Sequence, residues 1–271
     1  MRLFYIFDRG KIQSDSENHD SQLNPARVMK KYILVLCVIS VQQALFSQDT
    51  LSVSPDLQLI KLSENAFAHV SYTSLPGYGR VSANGMIITS GRKAFLFDTP
   101  WNVSLTEELV TYMEERMGLK LKGFVPNHWH EDCMGGIGYL KSRKIKSFAN
   151  ERTVVIAREK GLPVPDRGFR DSLVLKIGKM TIHCYYPGAA HSMDNIVVWI
   201  PSEKILFPGC IIKSIDSSNL GNTADGDLSE YPKTVEWIIR KFDHAVTVIP
   251  GHGSYGGPEL LLHTMSLASG R

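Results

Sequence analysis

Chemistry is densest in Asn127-His128-Trp129-His130-Glu131-Asp132-Cys133-Met134-Gly135-Gly136. Two histidines lie two residues apart and an aspartate follows two further on, so three candidate metal ligands fall within five residues. Imidazole and carboxylate together suit zinc, and ligands from one loop need partners from elsewhere in the fold to complete a site. A single histidine in such a loop is usually an ordinary polar residue. The His-x-His-x-Asp spacing is what points to a metal.

A metal loop must be held by something rigid. Lys122-Gly123-Phe124-Val125-Pro126 is a short apolar run that predicts a strand leading in, and Gly135-Gly136-Ile137-Gly138 predicts a glycine-rich turn into a helix. A strand end fixes side chains better than a free surface loop does. Three more stretches offer ligand types beside predicted strands: His191 in Gly188-Ala189-Ala190-His191, Cys210 in Pro208-Gly209-Cys210, and His252 in Pro250-Gly251-His252-Gly253. The flanking glycines allow a sharp turn that presents each side chain.

Around these points the pattern alternates between strands and helices. Residues 57–62, 66–72, 84–89 and 93–99 read as strands, the last ending in Asp98. Between the second and third lies Thr73-Ser74-Leu75-Pro76-Gly77-Tyr78-Gly79-Arg80, either a mobile flap over a pocket or a plain hairpin connection. A helix over 104–117, capped by Ser104 or Thr106, places Leu105, Leu109, Tyr112, Met113 and Met117 on one face and ends at Gly118. Later strands are expected at 145–150, 172–177, 180–186, 195–200, 204–207 and 246–249, and helices at 151–160, 231–242 and 258–268. That order suits a layered α/β domain with two packed sheets and helices outside.

Composition narrows the class. The 271 residues are 43% hydrophobic and 21% charged, with a formal net charge of +3. Residues 1–47 hold six Lys/Arg and four Asp/Glu, so the remainder is nearly balanced, at 24 basic against 23 acidic residues. No basic stripe argues for nucleic acid or an anionic membrane surface. The four cysteines, at 37, 133, 184 and 210, form no Cys-x-x-Cys pair and hence no zinc ribbon or disulfide framework. Met29-Lys30-Lys31-Tyr32 followed by the apolar run 33–39 and a small residue near Ser47 reads as a secretory signal peptide over 29–47. Translation is expected to start at Met29, leaving 1–28 as a non-native extension and 48–271 as a single exported domain. Leu36 is too bulky for a lipid-anchoring signal at Cys37.

His128-x-His130-x-Asp132, then His191, Cys210 and His252 in that order, resemble the metallo-β-lactamase superfamily, and within it the cysteine-ligated, two-zinc subclass B1. The resemblance covers roughly residues 57–268. It implies a four-layer αβ/βα sandwich and two Zn²⁺ per chain; the signal peptide makes the expected location periplasmic, with no stable membrane insertion after its cleavage, and a monomer is expected. The resemblance makes His128, His130 and His191 ligands of one zinc and Asp132, Cys210 and His252 ligands of the second. Cys210-x-x-Lys213 matches the motif whose lysine pairs with a substrate carboxylate. Leu220-Gly221-Asn222 matches one whose asparagine sits near the substrate carbonyl. The implied activity is hydrolysis of the amide of penicillins, cephalosporins and carbapenems by metal-activated water, without a covalent intermediate, with Asp132 orienting the attack. Other hydrolases on this scaffold, acting on thioesters, lactones or phosphodiesters, and a zinc-binding protein without turnover are the alternatives. Cys133, where thioesterase-like relatives carry histidine, and Cys210, where they carry aspartate, favour the lactamase. Cys133 and Cys210 are also expected to oxidise when zinc is lost.

Overall fold

A computed structural model describes residues 50–270. The expected extension and signal segment lie outside the described residues, apart from which every strand and helix anticipated above is present. Strands β1 (Thr50–Ser54), β2 (Leu57–Lys61), β3 (Ala66–Leu75), β4 (Gly79–Ser90), β5 (Lys93–Phe97) and β6 (Lys120–Val125) form one sheet in sequence order. Strands β9 (Ser172–Ile177), β10 (Met180–Tyr185), β11 (Val197–Ile200), β12 (Ile205–Gly209) and β13 (Thr247–Pro250) form a second, ordered β13-β12-β11-β10-β9. A small pair, β7 (Phe148–Asn150) and β8 (Arg167–Phe169), stands apart. Most neighbours are antiparallel, but β5–β6, β12–β13 and the small β7–β8 pair run parallel.

Period-two alternation explains how the sheets stack. Met86 and Ile88 of β4, Phe95 and Phe97 of β5, Val198 and Ile200 of β11, and Phe207 of β12 all enter one core between the sheets. Their neighbours Ile87, Ala94 and Leu96 enter a second core, beneath α1 (Val103–Glu115), and Val197, Trp199 and Leu206 a third, beneath α5 (Tyr231–Lys241) and α6 (Glu259–Ala268). A strand buried on both faces gives the continuous apolar runs seen in the sequence. The result is the expected αβ/βα sandwich, with α2 (Glu131–Met134), α3 (Ile137–Ser142) and α4 (Glu151–Glu159) completing the first half.

Three local expectations need correction. Helix α1 starts at Val103, capped by Asn102, whose side-chain oxygen accepts the Leu105 N–H at 2.9 Å; neither Ser104 nor Thr106 is the cap. Asn102 is as good a cap as serine or threonine, and the buried face of Leu105, Leu109 and Met113 sets the helix rotation. Truncating the wholly buried Leu109 to alanine should cost about 2–5 kcal/mol. Secondly, the stretch 73–80 is mostly strand. Pairing of β3 with β4 runs out to Leu75↔Gly79, so only the tip at 76–78 turns, with Tyr78 81% exposed. Thirdly, β1 and β8 escaped the sequence pattern because each is short and β1 is largely exposed.

Candidate metal centre

The parallel strand pairs of the two large sheets end on the same edge of the sandwich, and their C-terminal ends carry the chemistry. Asp98 follows β5, the 127–134 loop follows β6, Cys210 follows β12 and His252 follows β13. His191 sits in the connection from β10 to β11. Backbone bonds tie the two halves of this edge together: Ile196 N–H donates to Asn127 O at 2.9 Å and Asn84 N–H to Gly251 O at 2.8 Å.

All six ligands named from the sequence meet there, as two trios. His128 Nε2 and His130 Nδ1 are 2.8 Å apart, and His191 Nε2 is 3.2 Å from each. Cys210 Sγ lies 3.3 Å from both Asp132 Oδ2 and His252 Nε2, which are 3.1 Å from one another. Asp132 spans the trios, since its Oδ1 lies 3.8 Å from His128 Nε2. Such contacts suit a cation. Three ring nitrogens in mutual contact cannot all be satisfied by protons, and burial discourages protonating them. It holds His128 down at about 3 and His191 well below its ordinary value. Soft thiolate, imidazole and carboxylate in one buried cluster are a donor set for zinc, so the residues fit the metal.

The second trio is electrostatically different. Burial raises the Cys210 thiol, and Asp132 raises it further. Burial alone would lower His252, but Cys210 and Asp132 outweigh it and hold the imidazole well above its usual range. Burial works against Asp132 too, yet His252 and His128 keep it far below the ordinary carboxylate value. Close packing admits this cluster. A Cβ on Gly251 would lie 2.2 Å from Cys210 Sγ, and Gly209, at φ +55°, takes the left-handed turn that aims the cysteine.

Outer partners orient the rings, and most of these were not visible in the sequence. Asp225 Oδ2 accepts from His130 Nε2 at 3.0 Å, fixing the tautomer that leaves Nδ1 free for a metal. The sulfur of Cys133 lies 3.2 Å from His128 Nδ1, behind the ligand atom; it is a buried ring partner and faces away from the hollow. The Ser82 carbonyl accepts from His252 Nδ1. Among the described residues His191 Nδ1 has no hydrogen-bond partner. Buried Asp98, at φ +56°, accepts the Asn127 N–H and thereby pins the start of the metal loop. Asn84 donates to the carbonyls of Pro250 and Gly253, at 2.9 and 2.8 Å, and holds the His252 turn. Among these only Asp98, an acid closing an apolar strand, and Cys133, beside Asp132 in the metal loop, carried a signal in the sequence.

A hollow of about 420 Å³ opens over the trios, walled by Leu75, Tyr78 and Val81 of the hairpin, Trp101, and Gly221-Asn222 opposite. Asn222 is exposed and its side-chain oxygen accepts the Ala224 N–H at 3.1 Å, a local turn bond. Lys213 is half-buried with its ammonium donating to Cys210 O at 2.7 Å, so it is neither a solvated surface lysine nor free in the hollow.

No family model matches the chain. Individual relatives do. It is 42% identical over 239 residues to the metallo-beta-lactamase type 2 of Bacteroides fragilis, covering 88% of this chain and 96% of that one. Against the metallo-beta-lactamase type 2 of Pseudomonas aeruginosa it is 36% identical, over 79% and 85% of the two chains. The solved metallo-beta-lactamase from Pontibacter korlensis superposes with a TM-score of 0.77 at 35% identity, over 79% of this chain and all of that one. Two converging ligand trios on the edge of an αβ/βα sandwich, together with this degree of likeness over nearly the whole length of such relatives, mean that the chain belongs to the metallo-β-lactamase family, subclass B1.

Proposed function

We propose that the chain hydrolyses the β-lactam amide with two zinc ions, one at His128, His130 and His191 and the other at Asp132, Cys210 and His252. The observation that carries this reading is the convergence of the ligand atoms beneath one open hollow. Zinc, when bound, supplies a Lewis acid and lowers the pKa of a coordinated water toward about 7. The chain's own residues do the rest. Asp132 presents one oxygen to each trio and can accept a hydrogen bond there, holding the attacking water in line. Trp101 and the hairpin tip cover the hollow and exclude bulk water.

Among the described residues no serine, threonine or cysteine lines the hollow, so it presents no hydroxyl or thiol nucleophile for a covalent intermediate. Lys213 would anchor the substrate carboxylate, which requires its ammonium to turn from the Cys210 carbonyl toward the hollow. Asn222, on the wall opposite the hairpin, would give up its turn bond to reach the substrate carbonyl.

Penicillins, cephalosporins and carbapenems are the proposed substrates, and a periplasmic monomer the proposed state. The basic-then-apolar stretch from Met29 supports export, and no helix among the described residues is long and apolar enough to cross a membrane. Nitrocefin turnover that disappears with a chelator and returns with zinc tests the activity. Turnover of a thioester in place of nitrocefin would overturn it. Shortening 75–79 should raise KM for bulky substrates with zinc content intact, and unchanged kinetics would make the tip a plain connection.

A further inference from the structure

Three glycines lead out of the metal loop, and close packing explains two of them. A Cβ on Gly135 would lie 2.1 Å from the Trp101 carbonyl oxygen, and one on Gly136 2.0 Å from Thr106 Oγ1. Gly138, inside α3, is different. A Cβ there meets nothing nearer than Pro163 Cγ, at 3.7 Å, and alanine would suit the helix better. Gly138 is instead part of the floor of an open hollow of about 430 Å³, a volume typical of small-molecule sites.

The walls of this hollow are apolar: Val103, Trp129, Met134, Ile137, Leu162 and Pro163. One lining side chain carries a formal charge. Glu131 is exposed and forms no ion pair among the described residues, whereas the nearby Lys160 ammonium already rests over the Trp129 ring at 4.2 Å. An unpaired carboxylate at the edge of an apolar, aromatic cavity matches a ring that carries an ammonium group. Glu131 is also the only residue this hollow shares with the one over the metal trios, so the two are separate chambers with one common wall.

We propose that this chamber is a second small-molecule site, for an arylalkylammonium ion. Trp129, Glu131 and Met134 are interspersed along the chain with His128, His130 and Asp132, so an occupant bears directly on the loop that supplies two residues of one trio and one of the other.

The test is titration of 2-phenylethylammonium into the zinc-loaded chain, followed by calorimetry and tryptophan fluorescence. 2-Phenylethanol serves as the uncharged counterpart, and mercaptoacetate as a zinc-binding thiol that fills the metal-side hollow. The expected result is saturable one-to-one binding that persists with mercaptoacetate present. The amine should bind about fivefold tighter than the alcohol, the scale of a single exposed ion pair. Gly138→Leu should abolish binding by filling the chamber, and Gly138→Ala, whose methyl fits without displacing a neighbour, should weaken it. Glu131→Gln should erase the preference for the amine. No saturable binding, displacement by mercaptoacetate, equal affinity for amine and alcohol, or full affinity in a zinc-replete, folded Gly138→Leu chain would each overturn the site. None of these readouts involves β-lactam turnover, so they stand or fall apart from the hydrolase reading.

Discussion

The two ligand trios sit a few ångströms apart and are built on opposite electrostatic plans. His128, His130 and His191 are imidazoles, and burial keeps His128 and His191 neutral without any metal. Asp132, Cys210 and His252 mix a carboxylate, a thiol and a histidine that hold one another's protons in place. The first trio is prepared for a cation by desolvation, and the second must exchange protons for one. A neutral set leaves a bound zinc strongly electrophilic, while an anionic set binds it firmly and softens its charge. That division would let His128, His130 and His191 hold a metal as a Lewis acid toward a carbonyl, and Asp132, Cys210 and His252 hold one able to stabilise a leaving nitrogen.

The contrast breaks most visibly by deleting a neutral ligand. His128→Ala or His191→Ala should lower turnover by at least about 100-fold, as damage to a catalytic metal's immediate ligands does. Near-normal rates with zinc content unchanged would refute the assignment.

Proton release should separate the trios next. At neutral pH His252, held above 6.5 by Cys210 and Asp132, keeps its proton. Metal entering that trio must expel at least one proton, so its affinity should rise about tenfold per pH unit upward from pH 6.5. His128 and His191, depressed below 6.5, have none to lose in that range, so the first trio should be nearly flat. Chelator competition across pH, corrected for the chelator's own protons, measures both slopes. Parallel slopes would dissolve the distinction.

A smaller effect probes the outer partners. His130 is backed by a carboxylate and His191 by no partner among the described residues, so Asp225→Asn should weaken zinc at the first trio by about tenfold. The second trio should be unaffected, and equal loss at both would make Asp225 a general structural residue. The smallest change is expected from Lys213→Ala. It should raise KM several-fold for carboxylate-bearing lactams with little change in kcat, because it removes binding shared by ground and transition states. A fall in kcat at constant KM would instead tie the lysine to the Cys210 turn it already bonds.

Much of this protein was legible in one dimension because the deciding forces are local. Alternation along β4, β5, β11 and β12 reports two buried faces, and the glycine-flanked His, Cys and Asp residues report strand-end loops. The ligand identities and their order needed only residue type and spacing. Tertiary structure decided the rest. That Asp132 faces both trios, that Cys133 turns its sulfur to the back of His128, and that Asp225 finds His130 across 95 residues all depend on how two sheets pack. The strands of the hairpin outran the sequence reading for the same reason. Pro76 and the glycines at 77 and 79 signal a turn, but cross-strand pairing carries β3 and β4 right up to it. Side-chain direction follows from neighbours distant in sequence. Spacing along a chain can therefore say which groups will meet, while only the packed sheets say which atom of each group faces which.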